Sequence, residues 1–246
     1  MKLKFSFFMM VLLFQFVFSQ KQTEIKYLQI RSPVANVYET LITDGKRVLS
    51  KQDGNIIWTD PDYQQKTKKG LDQYFVSMNS SDLSSRIFTF NSYLIGEEEI
   101  IYWVKDIVPQ YSWNIDKNST KKILGYQCYK ATTVFRGSPI TAFFTYEIPH
   151  SIGPFKFYGL PGAILDVRVD GKSFDIWKAV EVKEHEVDRI EYPSDYKNSQ
   201  RVSMQEFVKA KDEAVNKYMN GANLKGSVIS IPQNRIGIEQ VFEWEK

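Results

Sequence analysis

Hydrophobic and polar residues alternate along most of the chain after its first twenty residues, and short clusters of Gly, Pro, Asn and Asp interrupt the alternation. Such runs, rich in β-branched and aromatic residues, are typical of strands. The pattern predicts strands over Ala35–Ile42, Arg86–Phe90, Glu98–Val104, Gln127–Phe135 and Ile140–Tyr146. Together they indicate an antiparallel meander.

Turn residues between these runs predict hairpins. Asp44-Gly45 lies between two apolar runs and is the pair that a two-residue type I′ turn prefers. Arg136-Gly137-Ser138, followed by Pro139, predicts a looser turn between two further strands.

One segment has helical periodicity instead. From Met204 to Met219 the apolar positions fall on one side: Met204, Phe207, Val208, Ala214, Val215 and Tyr218. Ser203 and Glu206 have the spacing of a capping box, and Gly221 supplies a C-terminal stop. We expect one amphipathic helix packed on the sheet; a membrane-surface helix is the alternative.

The first residues predict export. Lys2 and Lys4 precede an apolar run, and Val17 and Ser19 are small enough for the pockets of a signal peptidase. We therefore expect a signal peptide over 1–19 and a single β-rich domain over 20–246. The fold class predicted is mainly β: an antiparallel curved sheet or half-open barrel built from hairpins, with one C-terminal helix packed on it.

Composition narrows the function classes. The chain has 246 residues, a formal net charge of +3, scattered basic residues and no later apolar stretch long enough to cross a bilayer. We expect no nucleic-acid partner and no transmembrane segment. Cys128 is the only cysteine, so no internal disulfide is possible, and we interpret it as a buried hydrophobe.

Catalytic motifs are absent from the sequence. It has two histidines and contains no HExxH, Gly-x-Ser-x-Gly, Walker or Gly-x-Gly-x-x-Gly motif. We predict a protein that is not an enzyme and has no cofactor, although residues from distant strands can still assemble a site.

The stretch from Ile148 to Phe174 holds the densest turn signals. Leu160-Pro161-Gly162-Ala163 fits a type II turn, with Gly162 at the position of positive φ, and Gly159 allows close approach of the backbone. Upstream, Phe155 to Tyr158 has the pattern of a short extended run with Phe155 and Phe157 on one side.

Asp170-Gly171 predicts a second tight hairpin. With a two-residue loop, Val167 faces Phe174 and Asp166 faces Asp175, with Arg168 on the diagonal. Two opposed carboxylates repel, so we interpret this group as an exposed charge cluster relieved by Arg168. A weaker alternative is a cation site formed by Asp166 and Asp175.

The run from Lys121 to Asp170 resembles the diagnostic core of the GLPGLI family of secreted Gram-negative bacterial proteins. Gly159, Leu160, Pro161 and Gly162 match the motif, Ile164 matches its final Ile, and Ala163 departs from its second Leu. The resemblance implies export, a β-rich domain and a biochemical role that is not assigned, so it supplies no catalytic residue.

Two functions compete on the sequence. The first is a non-catalytic module of the periplasm or outer surface that binds or carries an apolar or polar ligand; Phe155, Phe157, Tyr158 and Trp177 are the candidate ligand-binding residues. The second is a structural or interaction module of an envelope or surface complex, which pairs through an exposed edge strand. The partner is unknown in either case.

Overall fold

The structure is a computed structural model that describes residues 21–66, 69–78, 85–186, 190–197, 199, 201–221, 235 and 237–246. The predicted signal peptide lies outside the described residues. Of the helices that are described, none is long and apolar enough to cross a membrane.

Strands dominate the described residues. In chain order they are β1 (Lys21–Ser32), β2 (Ala35–Thr43), β3 (Arg47–Gln52), β4 (Ile57–Trp58), β5 (Gln73–Met78), β6 (Ser85–Leu94), β7 (Glu97–Pro109), β8 (Asn114–Ile123), β9 (Tyr126–Phe135), β10 (Ser138–Thr145), β11 (Ala163–Val169), β12 (Ile176–Glu186) and β13 (Arg201–Ser203). The helices are α1 (Pro61–Lys66) and α2 (Met204–Gly221), with a 3₁₀ turn over Glu243–Glu245. All five predicted strands are confirmed.

These strands form one sheet in the order β13-β7-β6-β5-β3-β2-β1-β12-β11-β10-β9-β8, with β4 on β2. Most neighbours are consecutive and antiparallel, as expected of a meander. Pairing of β1 with β12 joins two such meanders, and β13 runs parallel to β7.

The sheet curves back on itself. Strand β7 ends at Pro109 and β8 begins at Asn114, although they lie towards opposite ends of the strand order. The short connection brings the two ends together, and Val108 and Tyr111 pack in one core with Cys128 and Ala131. The prediction of a curved, non-closed antiparallel sheet is therefore confirmed.

Helix α2 packs on this sheet near its β7 end, as predicted. The capping box is present: Ser203 N–H donates to Glu206 Oε2 at 2.9 Å, and Glu206 N–H donates to Ser203 Oγ at 3.2 Å. Met204, Phe207 and Val208 are buried with strand residues that include Phe90 and Val104. Tyr218, which was expected on the buried face, is instead exposed.

The first hairpin forms with a wider loop than predicted. Thr43 pairs with Val48, so the loop is longer than Asp44-Gly45 alone. The Asp44 carboxylate accepts hydrogen bonds from the backbone N–H groups of Lys46 (2.9 Å) and Arg47 (2.7 Å). This side chain replaces the ladder bonds that a two-residue turn would have made.

The predicted register of the β11–β12 hairpin is wrong. Val167 pairs with Trp177 and Asp166 with Lys178, because the loop extends to Asp175, whose φ is 57° and whose carbonyl accepts from Val169 N–H at 3.1 Å. Asp166 and Asp175 therefore do not face each other.

Each of these carboxylates is ion-paired separately, Asp166 with two cations and Asp175 with one. Asp166 Oδ2 contacts Lys121 Nζ at 2.8 Å, and Asp166 Oδ1 contacts Arg168 at 3.1 Å. Asp175 contacts Lys172 at 3.1 Å. Within the described ranges no group of three or more His, Cys, Asp or Glu side chains is placed to hold a metal ion.

The Gly-Leu-Pro-Gly turn is not type II. Gly159 has a φ of 95°, whereas Gly162 does not have a positive φ. Gly162 is required by space, since a Cβ there would lie 1.9 Å from the carbonyl oxygen of Thr145. Leu160 and Ile164 on either side of it are buried in the core. The two glycines thus have the reverse of the roles predicted for them.

Candidate ligand-binding cleft

A cleft of about 770 Å³ opens on the inner face of the sheet. Its floor and sides come from β1, β3, β5 and β6, from α2 and from the turn that contains Phe155; Gly237, Ile238, Glu239 and Phe242 close another side. Strand residues two apart point to the same face, so β1, β5 and β6 each contribute two alternate side chains to the cleft, and β3 contributes one.

One side of the cleft is a row of aromatic rings. Trp177 and Phe155 are stacked at 5.9 Å between centroids, and Phe155 meets Phe75 edge to face at 5.4 Å. Phe75 stacks on Phe90 at 5.6 Å, and Phe90 meets Phe207 of α2 at 6.3 Å. Phe155 is partly exposed and the other four rings are buried, so the row forms an apolar wall of the cleft with Phe155 as its accessible ring.

A row of polar side chains runs beside the rings. It consists of Gln29 on β1, Gln52 on β3, Gln73 on β5 and Ser92 on β6, all of which line the cleft. Gln52 and Gln73 are register partners on neighbouring strands. Arg31, two residues after Gln29 on β1, continues the row at the edge of the cleft. The cleft is therefore amphipathic.

Glu39 lies beneath this polar row and is fully buried. Its carboxylate accepts hydrogen bonds from the Phe155 backbone N–H (2.7 Å), Trp177 Nε1 (2.9 Å), Ser50 Oγ (2.5 Å) and Gln52 Nε2 (3.4 Å). Burial raises the pKa of Glu39, and these hydrogen bonds offset part of that effect. Glu39 thus joins the polar row to the two aromatic residues at one end of the ring row.

A buried ion network supports the opposite side. Asp106 binds the Arg136 guanidinium through two hydrogen bonds of 2.7 and 2.8 Å and contacts Lys156 Nζ at 2.7 Å. Lys156 also contacts Glu239 at 2.8 Å, and Arg136 contacts Glu239 and Glu243. Burial alone would raise the pKa of Asp106, but Lys156 and Arg136 outweigh it and hold that pKa below its usual value. The network fixes Glu239, and with it the C-terminal side of the cleft.

Strained backbone concentrates around the cleft. Phe155 (φ 56°) and Asp175 (φ 57°) line it, and Arg136 (φ 43°) anchors the network behind it. The Phe155–Tyr158 run is consequently a turn, closed by Phe157 N–H donating to Pro154 O at 3.1 Å, and not the extended segment predicted. A bulky residue with positive φ is unfavourable by about 1–3 kcal/mol, and such strain clusters at binding sites.

The four candidate ligand-binding residues separate into two pairs. Phe155 and Trp177 line the cleft. Phe157 and Tyr158 are core residues, and the Tyr158 hydroxyl donates to Val108 O at 2.7 Å. Sequence reasoning missed Gln29, because β1 was not predicted, and Glu39, because nothing local marks that carboxylate as buried.

A known family matches most of the chain. The family model described as N-glycanase peptide, N-terminal domain, matches residues 35–211, more than two thirds of the length. This chain belongs to that family. The matched segment of the N-glycanase N-terminal domain includes Glu39, Gln52, Phe155 and Trp177, whereas Gln29 lies before it.

Three solved structures are similar to parts of this chain. PNGF-II in a C2 crystal form is 15% identical with a TM-score of 0.51, over 79% of this chain and 33% of that chain. PNGF-II in a P21 form is 14% identical with a TM-score of 0.49, over 79% and 34%. An uncharacterized conserved protein from Thermus thermophilus is 11% identical with a TM-score of 0.37, over 76% and 91%. The chain spans about a third of the length of PNGF-II, and no curated protein matches it.

Proposed function

We propose that this chain is a non-catalytic glycan-binding module, and that the cleft holds the saccharide. The observation that carries the proposal is the aromatic row beside a row of amide side chains. Sugars present apolar C–H faces and hydroxyl edges, so they need a flat ring surface and planar polar partners together. Gln52 and Gln73 already donate within the chain, to Gln29 and to Asn91 O. A purely apolar ligand would leave the Gln29 NH₂ group without water or a partner, at a cost in free energy.

The family name supports a saccharide ligand, because it describes a domain of an N-glycanase. We place no catalysis in this chain. Both carboxylate oxygens of Glu39 already accept hydrogen bonds from the protein, and the side chain is buried below the surface of the cleft. In the described part of the cleft, Asp175, Asp212 and Glu239 are each ion-paired. General acid–base catalysis needs a carboxyl group that reaches the substrate and can exchange its proton.

The location proposed is the periplasm or outer surface, after export across the inner membrane. The lysines and apolar run before Ser19 support this. N-terminal sequencing of the mature protein from an envelope fraction should begin at Gln20. A full-length cytosolic product would contradict export. The GLPGLI resemblance over Lys121–Asp170 also stays a prediction.

Calorimetric titration tests the ligand. We expect an N-glycopeptide to bind saturably and its deglycosylated counterpart to bind weakly or not at all. Asn216→Trp, which fills the mouth of the cleft from α2, should abolish binding, whereas Lys217→Trp on the next helix position should not. Saturable enhancement of a fluorescent fatty acid, without any glycan binding, would instead support a carrier of apolar ligands.

The interaction-module function is the second candidate. Strand β8 ends the sheet order and has one free edge among the described strands. That edge carries Lys117, Lys121 and Lys122, and its pairing with β9 is irregular between Asp116 and Thr120. Lysines and bulges discourage the pairing of another strand with an edge, so the β8 edge is poorly suited to binding a partner chain. The cleft is therefore the better candidate for the functional surface.

A further inference from the structure

Both oxygens of Glu39 act as acceptors, which sets the orientation of the polar row. The Phe155 backbone N–H donates to Oε1 and the Trp177 indole N–H donates to Oε2, and neither group can accept. Gln52 approaches the same Oε2 at 3.4 Å. The amide group that Gln52 turns toward Glu39 is therefore its NH₂.

The orientation of the Gln52 amide in turn fixes the orientation of Gln29. Gln52 Nε2 also donates to Gln29 Oε1 at 2.7 Å, so Gln29 turns its carbonyl inward. Its NH₂ group then points away from Gln52. Gln29 lines the cleft and is 6% exposed, and across the described residues its Nε2 donates no hydrogen bond within the chain. Glu39 and Gln52 thus fix Gln29 as a donor to the cleft.

Arg31 extends this donor character along β1. It lies two residues from Gln29 on the same face, about 6–7 Å further along the strand, and its guanidinium can only donate. Two donors in line suit a ligand oxygen that only accepts, since a hydroxyl would have to turn its own hydrogen away.

We propose that Gln29 is the specificity-determining residue of the cleft and donates to a carbonyl or carboxylate oxygen of the ligand, with Glu39 and Gln52 as positioning residues. The inference rests on the glycan-binding function proposed above. An acetamido sugar and an acidic sugar both provide such an oxygen, whereas a neutral sugar provides hydroxyls only.

Three disaccharides separate these sources. N,N′-diacetylchitobiose carries the acetamido carbonyl, cellobiouronic acid carries a carboxylate, and cellobiose carries neither. We expect the full chain to bind at least one of the first two roughly tenfold more tightly than cellobiose, as for one well-placed hydrogen bond. Equal Kd values for all three would overturn the inference while leaving glycan binding intact.

Variants test the assigned roles. Gln29→Glu keeps the hydrogen bond from Gln52 but replaces the donor, and Gln29→Met removes the donor without adding charge. In each variant, the ratio of the cellobiose Kd to the Kd of the tighter-binding acetamido or acidic disaccharide should fall to near one. Gln52→Met should weaken binding of the acetamido or acidic disaccharide more than binding of cellobiose, whereas a merely structural effect would weaken all three equally. Asn118→Asp on exposed β8 adds the same charge outside the cleft and should keep the wild-type ratio.

If none of the three disaccharides binds, the N-glycopeptide is used as the ligand in the titration instead. Its Kd should then rise roughly tenfold in Gln29→Met, and an unchanged Kd would overturn the role of Gln29 alone. If the glycopeptide also fails to bind wild type, the proposed function itself fails. Thermal unfolding of every variant shows that it is folded before titration.

Discussion

Replacing Asp106 by Asn tests the ion network that supports the cleft. Asp106 is fully buried and holds two buried cations, Arg136 through two hydrogen bonds and Lys156 through one. Asn keeps the volume but removes the charge and turns an NH₂ group toward one cation. Removing one partner from a buried ion pair costs about 3–5 kcal/mol.

The lower end of that range applies here, because Glu239 and Glu243 still neutralise part of the cationic charge. We expect the free energy of unfolding to fall by about 3 kcal/mol. With a urea m-value of roughly 2 kcal/mol/M, the midpoint should fall by about 1.5 M. Urea unfolding followed by circular dichroism at pH 7 measures both quantities.

The stabilisation that Asp106 provides depends on pH. The pKa of Asp106 is lowered in the folded state, so its stabilisation is present above the unfolded pKa, near 3.9, and is lost as pH falls through the folded pKa. The difference in unfolding free energy between wild type and Asp106→Asn should be constant near neutrality and shrink below about pH 4.

A matched control removes the same charge from a surface pair. Glu181 contacts Lys183 at 2.8 Å with both side chains well exposed, so Glu181→Gln should leave the midpoint unchanged within error. A loss below about 1 kcal/mol in Asp106→Asn would refute the claim that the buried network holds this side of the cleft.

Three further predictions concern turns and the thiol. Leu124, exposed with a φ of 52°, is unfavourable in its type I′ turn, so Leu124→Asn should raise the free energy of unfolding by about 0.5–1 kcal/mol in urea titration; a decrease would contradict this. Gly162→Ala should lower the free energy of unfolding by roughly 3 kcal/mol, because the new Cβ would clash with the carbonyl oxygen of Thr145. A Cβ at Gly171 would contact no other atom, so Gly171→Ala should lower the free energy of unfolding by only about 1 kcal/mol, for its positive φ. Burial raises the pKa of Cys128 to about 11, so a maleimide at pH 8 should label it only after denaturation; rapid native labelling would show an accessible thiol.

Sequence patterns predicted the elements correctly where the deciding interactions join residues that are close together in the chain. The capping box of α2 joins residues three apart, and the five predicted strands follow from alternation along each run. Turn geometry was less predictable. The Asp44 carboxylate and the left-handed Asp175 lengthened two loops that Asp-Gly had suggested were tight, which shifted the β11–β12 register.

The cleft depended on contacts that no local pattern encodes. Glu39 looked like an ordinary polar residue in an alternating strand, yet it is buried because Trp177 and the backbone of Phe155, distant in the chain, supply its hydrogen bonds. Phe155 was a predicted ligand-contact residue and does lie in the cleft, whereas its neighbour Phe157, expected on the same side, lies in the core.

The sequence by itself determined that the described chain is a curved, mostly antiparallel sheet with one long helix, since alternation, turn residues and capping are set by neighbours a few positions apart. Tertiary structure alone decided that β1 pairs with β12 and that three glutamines and seven aromatic rings share one cleft above the buried Glu39. The physical reason is that such pairings gain their free energy from core burial and from hydrogen bonds between distant segments, and neither leaves a signature in either segment alone.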